Sequence, residues 1–366
     1  MRAVVTGAAG FIGRVLVERL HDCGWEVRAL DLPGRTGDVP PDVIKVDADI
    51  REPAALRSAF RGADVVFHVA ALFDLLAPWA ALRAVNVDGT RAVCDAARAS
   101  GVRRVVCWGS SSVYGVSRRA EPFTEGHPID TSSLNPYALS KYLGEAAALE
   151  AGERELEVVV LRPADVYGPG AVQGLAQALF AFKVGLMGAV PGPGISMHSH
   201  VHVDDVAGAA IHLAAKGDAG AVYNIADRTP ISVGELYALA RRSIGAVSVR
   251  DARLSLPAKP LVFGRSLFHV PAPLLRAFAR WEVLRARRGW LLARLGPRPL
   301  ASPDGVDLLL GHHIVSADRL FATGFQPVVP DVRAALPALV AACERDGWGS
   351  FRGVRTAPGS RVKAAA

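Results

Sequence analysis

The chain has 366 residues, 51% hydrophobic and 21% charged, with a formal net charge of +7. This composition excludes a disordered polymer and leaves enough chain for a large core in about two domains. Four scattered cysteines, Cys23, Cys94, Cys107 and Cys343, make neither a disulfide framework nor metal-ligand spacing, and no apolar run is long enough to span a bilayer.

A β-branched apolar run ends at Thr6, and the turn Gly7-Ala8-Ala9-Gly10 leads into a helical pattern that opens with Phe11, Ile12 and Gly13. Because the run starts at Met1, no cleavable leader is expected. Glycines at i, i+3 and i+6 make a turn without side chains. A pyrophosphate can approach its backbone and rest on the N–H groups and positive dipole of the helix start. Gly13 lets the helix lie close against the strand. A second run, 27–30, closes at Asp31, eighteen positions after Gly13, where a carboxylate can hold an adenosine ribose 2′-OH. A carboxylate repels a 2′-phosphate, so Asp31 favours NAD, and Arg35 keeps NADP as the less favoured cofactor.

Residues 43–46 make a third run, which leads into Asp47-Ala48-Asp49-Ile50. A helix is expected over 53–61 with Pro at its start. Residues 65–69 make a fourth run, entering Ala70-Ala71, and a long helix is expected over 86–99. Further runs at 104–108 and 156–161 continue the alternation, and pieces of element size follow at 204–215, 222–226 and 232–244. Near-continuous apolar strands alternating with helices predict a doubly wound α/β fold, a Rossmann-type parallel sheet covered on both faces. The expected division is a dinucleotide-binding core over 1–165 and a smaller, mainly substrate-binding region over 166–350. Elements near 200–226 would return to the core, and a basic, disordered tail would occupy 351–366.

Tyr137 and Lys141 stand four apart on a predicted helix that follows Asn135-Pro136, so they share a face. A phenol titrates near pH 10 and is a poor base at neutral pH, whereas a nearby ammonium favours the phenolate. The pair suits proton transfer to or from a hydroxyl while hydride moves elsewhere. Ser110, Ser111 and Ser112 follow the fifth strand directly, at the carboxyl end of a parallel sheet where ligands bind. A serine hydroxyl there can orient a substrate oxygen.

Several stretches together resemble the extended short-chain dehydrogenase/reductases, also called the epimerase/dehydratase family. They are Thr6 to Gly13, Asp49-Ile50, His68-Val69-Ala70-Ala71, Asn86-Val87-Asp88-Gly89-Thr90, Ser110 to Gly115, Tyr137 to Lys141, Leu161-Arg162-Pro163 and His202-Val203-Asp204-Asp205-Val206. The resemblance implies an enzyme with the catalytic set Ser110, Tyr137 and Lys141, in which Lys141 also holds the nicotinamide ribose and Ser111 is the fallback serine. It implies Gly7, Gly10, Phe11, Ile12, Gly13, Asp31, Asp49, Ile50, Ala70, Ala71, Tyr137, Lys141 and Pro163 as cofactor-binding residues. Sugar-nucleotide members commonly carry an arginine before the His-Val-x-Asp stretch, and residues 192–200 hold none.

Alternating His198, His200 and His202 would share one face of a strand, as metal ligands do. No Cys or Asp is placed to complete a site, so a polar face is expected and no metal. Toward the C-terminus, Ser316-Ala317-Asp318-Arg319-Leu320 and Gly324-Phe325-Gln326-Pro327 resemble a strand-like part of the 3β-hydroxysteroid dehydrogenase and dihydroflavonol-reductase-like branch. Residues 274–295 combine an apolar side (Leu274, Phe278, Trp281) with six arginines. That pattern predicts an amphipathic helix for an anionic membrane surface, a substrate pocket or another subunit. The functional expectation is an NAD-dependent oxidoreductase, cytoplasmic or peripheral to a membrane and homodimeric. It would interconvert a secondary alcohol and a ketone on a hydrophobic, steroid-like small molecule, with no nucleic-acid partner. A nucleotide-sugar epimerase or dehydratase and a non-catalytic cofactor-binding interaction protein are the alternatives.

Overall fold

The computed structural model describes residues 1–75, 77–153, 156–183, 189–191, 193–244, 268–270, 303–345 and a few positions between 273 and 281. Seven parallel strands form its main sheet: β1 (Arg2–Thr6), β2 (Glu26–Asp31), β3 (Ile44–Asp47), β4 (Val65–His68), β5 (Arg104–Trp108), β6 (Glu157–Pro163) and a last strand, Val222–Ile225. In space the order is last strand, β6, β5, β4, β1, β2, β3, so the winding reverses between β1 and β4. Ligands bind at such a switch point in open α/β sheets.

Period-2 alternation explains why both faces are apolar. Ala3, Val5, Val65, Phe67, Val106, Val159 and Leu161 meet α1 (Phe11–Asp22), through Leu16, Val17 and Leu20, and the helix Val203–Lys216, through Val206 and Ala210. Val4, Val66, Val105, Val158 and Val160 point the other way. They meet α2 (Pro53–Phe60) and α4 (Gly89–Ala99), through Leu56, Phe60, Val93 and Cys94. Each fully buried large aliphatic contributes about 1.5–3 kcal/mol. The central strands are therefore covered on both faces, while β3 at the edge is mostly exposed.

The chain divides into two compact units. The first comprises 1–168, 197–232 and 311–335, and holds the whole seven-stranded sheet. The second comprises 169–196, 233–310 and 336–366. Within it, the helices Leu175–Lys183, Val233–Ile244 and Pro303–Leu310 and a short parallel strand pair, Ala189–Pro191 with Phe268–Val270, are described. Residues 311–335, expected in the substrate-binding region, fold with the first unit. The tail 351–366 and most of 274–295 lie outside the described residues. Among the described residues no helix is long and apolar enough to cross a membrane.

Two elements differ from expectation. The helix expected over 86–99 starts earlier, as α3 (Trp79–Arg83), and passes through a π-helical stretch, Ala84–Asp88, before α4. Such wide turns often mark functional positions, and Asn86 lies inside this one. The strand-like reading of 316–327 is also corrected. Asp318–Ala322 is a short helix whose start is held by the Ser316 hydroxyl, 2.8 Å from Asp318, and Gly324 at φ +90° follows its end.

Candidate active site

The glycine turn joins β1 to α1, next to the switch point. Gly7 sits at φ +69°, and a Cβ there would stand 2.7 Å from the backbone of Ala70. A Cβ on Gly13 would stand 2.0 Å from the Gly7 carbonyl oxygen. Gly10 differs, because a Cβ there would meet only the Gly7 oxygen, at 3.1 Å, and otherwise face open space. Gly10 is exposed and caps α1 with no side-chain cap, and the first turn (Phe11, Ile12, Gly13) carries no acid. Its N–H groups are thus left for an anion.

Asp31, at the end of β2, is 8% exposed. Its carboxylate accepts the Ala9 N–H at 2.9 Å and the Leu32 N–H at 2.8 Å, which ties the glycine turn to β2. Arg35 Nη1 stands 4.0 Å from the same carboxylate. Past β3, Asp49 accepts from Arg51, at 2.5 Å from Nη2 and 2.9 Å from the backbone N–H. The Arg51 hydrogen bonds hold its carboxyl below the usual carboxylate range. Ile50 is buried against Gly89 of α4. Ala70 touches the glycine turn, Ala71 is exposed, and Pro163 ends β6 opposite Ile225.

Tyr137 and Lys141 occupy the first turns of α5 (Pro136–Gly152), whose start is fixed by Asn135 accepting the Ala138 N–H at 2.9 Å. Lys141 is 8% exposed, and its ammonium donates to the Trp108 carbonyl at 2.5 Å, at the end of β5. Burial lowers its pKa, against the charges of Cys107 and Glu145. Ser110 follows two residues after that carbonyl. Burial pushes the Tyr137 hydroxyl's pKa up, and a hydrogen bond with Ser110 opposes the shift. Ser110, Tyr137 and Lys141 therefore come together on α5 and the end of β5. Ser111 is turned away: it is 4% exposed, and its hydroxyl is 2.9 Å from His313 Nε2.

A buried relay stands behind the pair. The Ala70 N–H donates to Thr6 Oγ1 at 3.3 Å, Thr6 Oγ1 lies 2.8 Å from His68 Nδ1, and His68 Nε2 lies 2.9 Å from Thr90 Oγ1. Thr90 spends its proton on the Asn86 carbonyl at 2.8 Å. His68 must therefore donate from Nε2 and accept at Nδ1. Burial, with the Lys141 charge second, lowers its pKa to about 3 and keeps the ring neutral. The Asn86 side chain takes the Leu72 N–H at 2.7 Å and donates to the Leu72 carbonyl at 3.0 Å and to Ser140 Oγ at 2.9 Å. It thus ties the loop after β4 to α5. On that loop Phe73 is 45% exposed, and its ring meets Tyr137 edge-on at 4.8 Å.

Residues 3–226 match the model of the NAD dependent epimerase/dehydratase family. The chain belongs to that family. Like others of the extended short-chain dehydrogenase/reductase type, this epimerase/dehydratase-family chain is an NAD-dependent enzyme. It is 33% identical over 270 residues to a UDP-glucose 4-epimerase of Mycolicibacterium smegmatis, covering 67% of this chain and 83% of that protein. It is 28% identical over 357 residues to a 3-beta-hydroxysteroid dehydrogenase of Mycolicibacterium neoaurum, covering 92% and 90%. A solved dTDP-glucose 4,6-dehydratase from Streptomyces venezuelae with NAD bound superposes with a TM-score of 0.69 at 25% identity, over 95% of this chain and 98% of that one.

The residues fit the family's cofactor: an open Gly10, an uncapped first turn of α1 and a carboxylate at the end of β2 suit a dinucleotide without a 2′-phosphate. Gly10→Val is accordingly expected to weaken NAD binding by about 100-fold, or roughly 2.8 kcal/mol. The fold should survive, because only one backbone atom stands near the new side chain. Calorimetric titration beside a thermal melt checks this, and an unchanged affinity removes the phosphate-cradle role from Gly10.

Four contributors escaped the sequence reading of this family member's site: the roles of His68, Thr90 and Asn86, which lay inside the matching stretches, and of Phe73, which carried no signal. Of the three alternating histidines, His198 separates, while His200 and His202 share one strand and both meet the Tyr167 ring. His198 belongs to the pair Met197–His198 with Ile231–Ser232, and His200 to His200–His202 with Asp165–Tyr167. His202 caps the next helix by accepting the Asp204 N–H at 3.2 Å. Among the described residues no group of three His, Cys, Asp or Glu is placed to hold a metal ion.

Proposed function

We propose that the enzyme interconverts a secondary alcohol and a ketone on a hydrophobic, steroid-like substrate, with NAD as the hydride carrier. The observation that carries the apolar half of this reading is Phe73. An exposed aromatic ring set edge-on to Tyr137 at 4.8 Å, with Leu75 38% exposed on the same loop, gives the reacting carbon an apolar neighbour. Similarity to a 3-beta-hydroxysteroid dehydrogenase over nine-tenths of both chains supports the same class.

NAD, when bound, supplies the hydride acceptor or donor. Tyr137 Oη moves the proton of the substrate oxygen, and Ser110 Oγ orients that oxygen. Lys141, one helical turn after Tyr137, donates to the Trp108 carbonyl two residues before Ser110 and would hold the nicotinamide ribose. Asp31 and the first turn of α1 bind the adenosine ribose and the pyrophosphate.

The test follows NADH absorbance with purified protein, NAD and either a 3β-hydroxysteroid or UDP-glucose. NADH formation with the sterol and none with the sugar nucleotide is the expected result. Similarity to a UDP-glucose 4-epimerase supports a second reading. Conversion of UDP-glucose without net NADH would replace the first reading with that one.

A further inference from the structure

We propose that His313 is the positioning residue that holds Ser110 in its working orientation. The inference rests on the reading of Ser110 as the serine that orients the substrate oxygen.

Ser110 is the N-terminal cap of a single 3₁₀ turn, Ser111–Tyr114, which ends at Gly115 with φ +67°. The bonds inside the turn fix Ser110 relative to Ser112 but not the turn relative to the rest of the fold. Its own bonds are Val113 N–H to the Ser110 carbonyl at 3.4 Å, Gly115 N–H to the Ser112 carbonyl at 3.1 Å, Ser112 N–H to Ser110 Oγ at 3.2 Å, and a hydroxyl pair, Ser110 Oγ to Ser112 Oγ, at 2.8 Å. The bonds that hold the turn as a whole include a pair from far along the chain. His313, 5% exposed, places Nδ1 2.7 Å from the Gly115 carbonyl and Nε2 2.9 Å from Ser111 Oγ. A carbonyl only accepts, so Nδ1 carries the hydrogen, and in the neutral ring Nε2 accepts the Ser111 hydroxyl proton. Burial lowers the ring's pKa and keeps it in that form.

One rigid ring thus spans both ends of the turn, one residue from Ser110. The ring is itself fixed by backbone pairing. The His313 N–H donates to the Met197 carbonyl at 2.8 Å, the Ser199 N–H donates to the His313 carbonyl at 2.9 Å, and His312 exchanges two hydrogen bonds with Ser117. The neutral imidazole offers a donor and an acceptor on opposite edges of one rigid ring. A misplacement of about 1 Å at a reacting group can cost on the order of 100-fold in rate, so a small shift of the turn reaches catalysis through Ser110.

The test is a double-mutant cycle on sterol oxidation with NAD, using the full chain. His313→Phe keeps the ring and loses both bonds. It is expected to lower kcat roughly 10- to 100-fold, with KM for NAD unchanged. His313→Asn, which keeps a donor near Gly115, should recover part of the loss. In a Ser110→Ala background, His313→Phe should cost nothing more. A wild-type rate for Ser110→Ala ends the reading of Ser110 itself. A lowered rate for Ser110→Ala that His313→Phe multiplies in full leaves that reading standing and overturns the positioning role. So does a His313→Phe rate within twofold of wild type. If His313→Phe fails to fold, Ser111→Ala, which removes one of the two anchors, takes its place in the cycle. If no substrate turns over, hydrogen exchange of the 110–116 peptide decides. Faster exchange there than in wild type, with the sheet peptides unchanged, supports the clamp, and equal exchange overturns it.

Discussion

Tyr137→Phe is expected to lower kcat by roughly 10²–10⁴-fold, the usual contribution of general acid–base catalysis, with NAD affinity nearly unchanged. Phenylalanine keeps the ring that Phe73 meets edge-on at 4.8 Å and removes only the titratable oxygen. The pKa direction adds a signature. Burial, opposed by Ser110, raises the Tyr137 hydroxyl's pKa, so at neutral pH the oxygen holds its proton and is ready to give it to a ketone. Alcohol oxidation needs the phenolate and should climb as pH rises above neutral, while ketone reduction should not. Steady-state rates in both directions across pH 6–10, for wild type and variant, check both parts. A variant within a few-fold of wild type would show that another group moves the proton.

Arg162→Met is expected to destabilise the protein by about 3–5 kcal/mol, the cost of leaving one member of a buried ion pair alone. Arg162 and Glu145 are among the buried charged residues, 4% exposed each. Arg162 Nε donates to Glu145 at 2.9 Å, Nη2 donates to the other carboxylate oxygen, and Nη1 donates to the Tyr114 hydroxyl at 2.7 Å. Tyr114 passes its own proton to Asn224 at 2.8 Å, and Asn224 donates to the Phe123 and Ser316 carbonyls. Removing the guanidinium strands a carboxylate one turn beyond Lys141. That stranded charge is the source of the deficit. Denaturant unfolding of Arg162→Met and of the double variant Glu145→Gln/Arg162→Met measures it. The double variant should recover much of the loss. A loss below about 1 kcal/mol in the single variant would mean that water reaches Glu145 and the pair is not structurally important.

The doubly wound sheet was legible because its signals are local. Val65, Val66 and Phe67 read as strand from their own neighbours, and Gly7, Gly10 and Gly13 from their spacing. Tyr137 and Lys141 were legible for the same reason, since four residues of helix place them together. Contacts between residues distant in the chain left no such trace. The acceptor of Lys141 is a backbone carbonyl on β5, 33 positions away. His313 stands 202 positions from Ser111, and nothing in His312-His313 announces a bond. The alternating histidines carried a real period-2 signal. It could not say that the run breaks into two strand pairings and a helix cap.

The return of residues 311–335 to the first unit sets an order in time. A ribosome delivers Ser110, Tyr137 and Lys141 early, and domains tend to fold as they emerge. The strip that bonds Ser111, Ser117, Phe123 and Asn224, namely residues 312–316, arrives only after all of 233–310 has been made. Until then the nascent sheet presents an unclosed seam beside its serine turn, and closing so long a loop costs entropy before the contacts form. If His313 positions Ser110 as proposed, the serine turn gains its anchor only once residues 312–316 have been made.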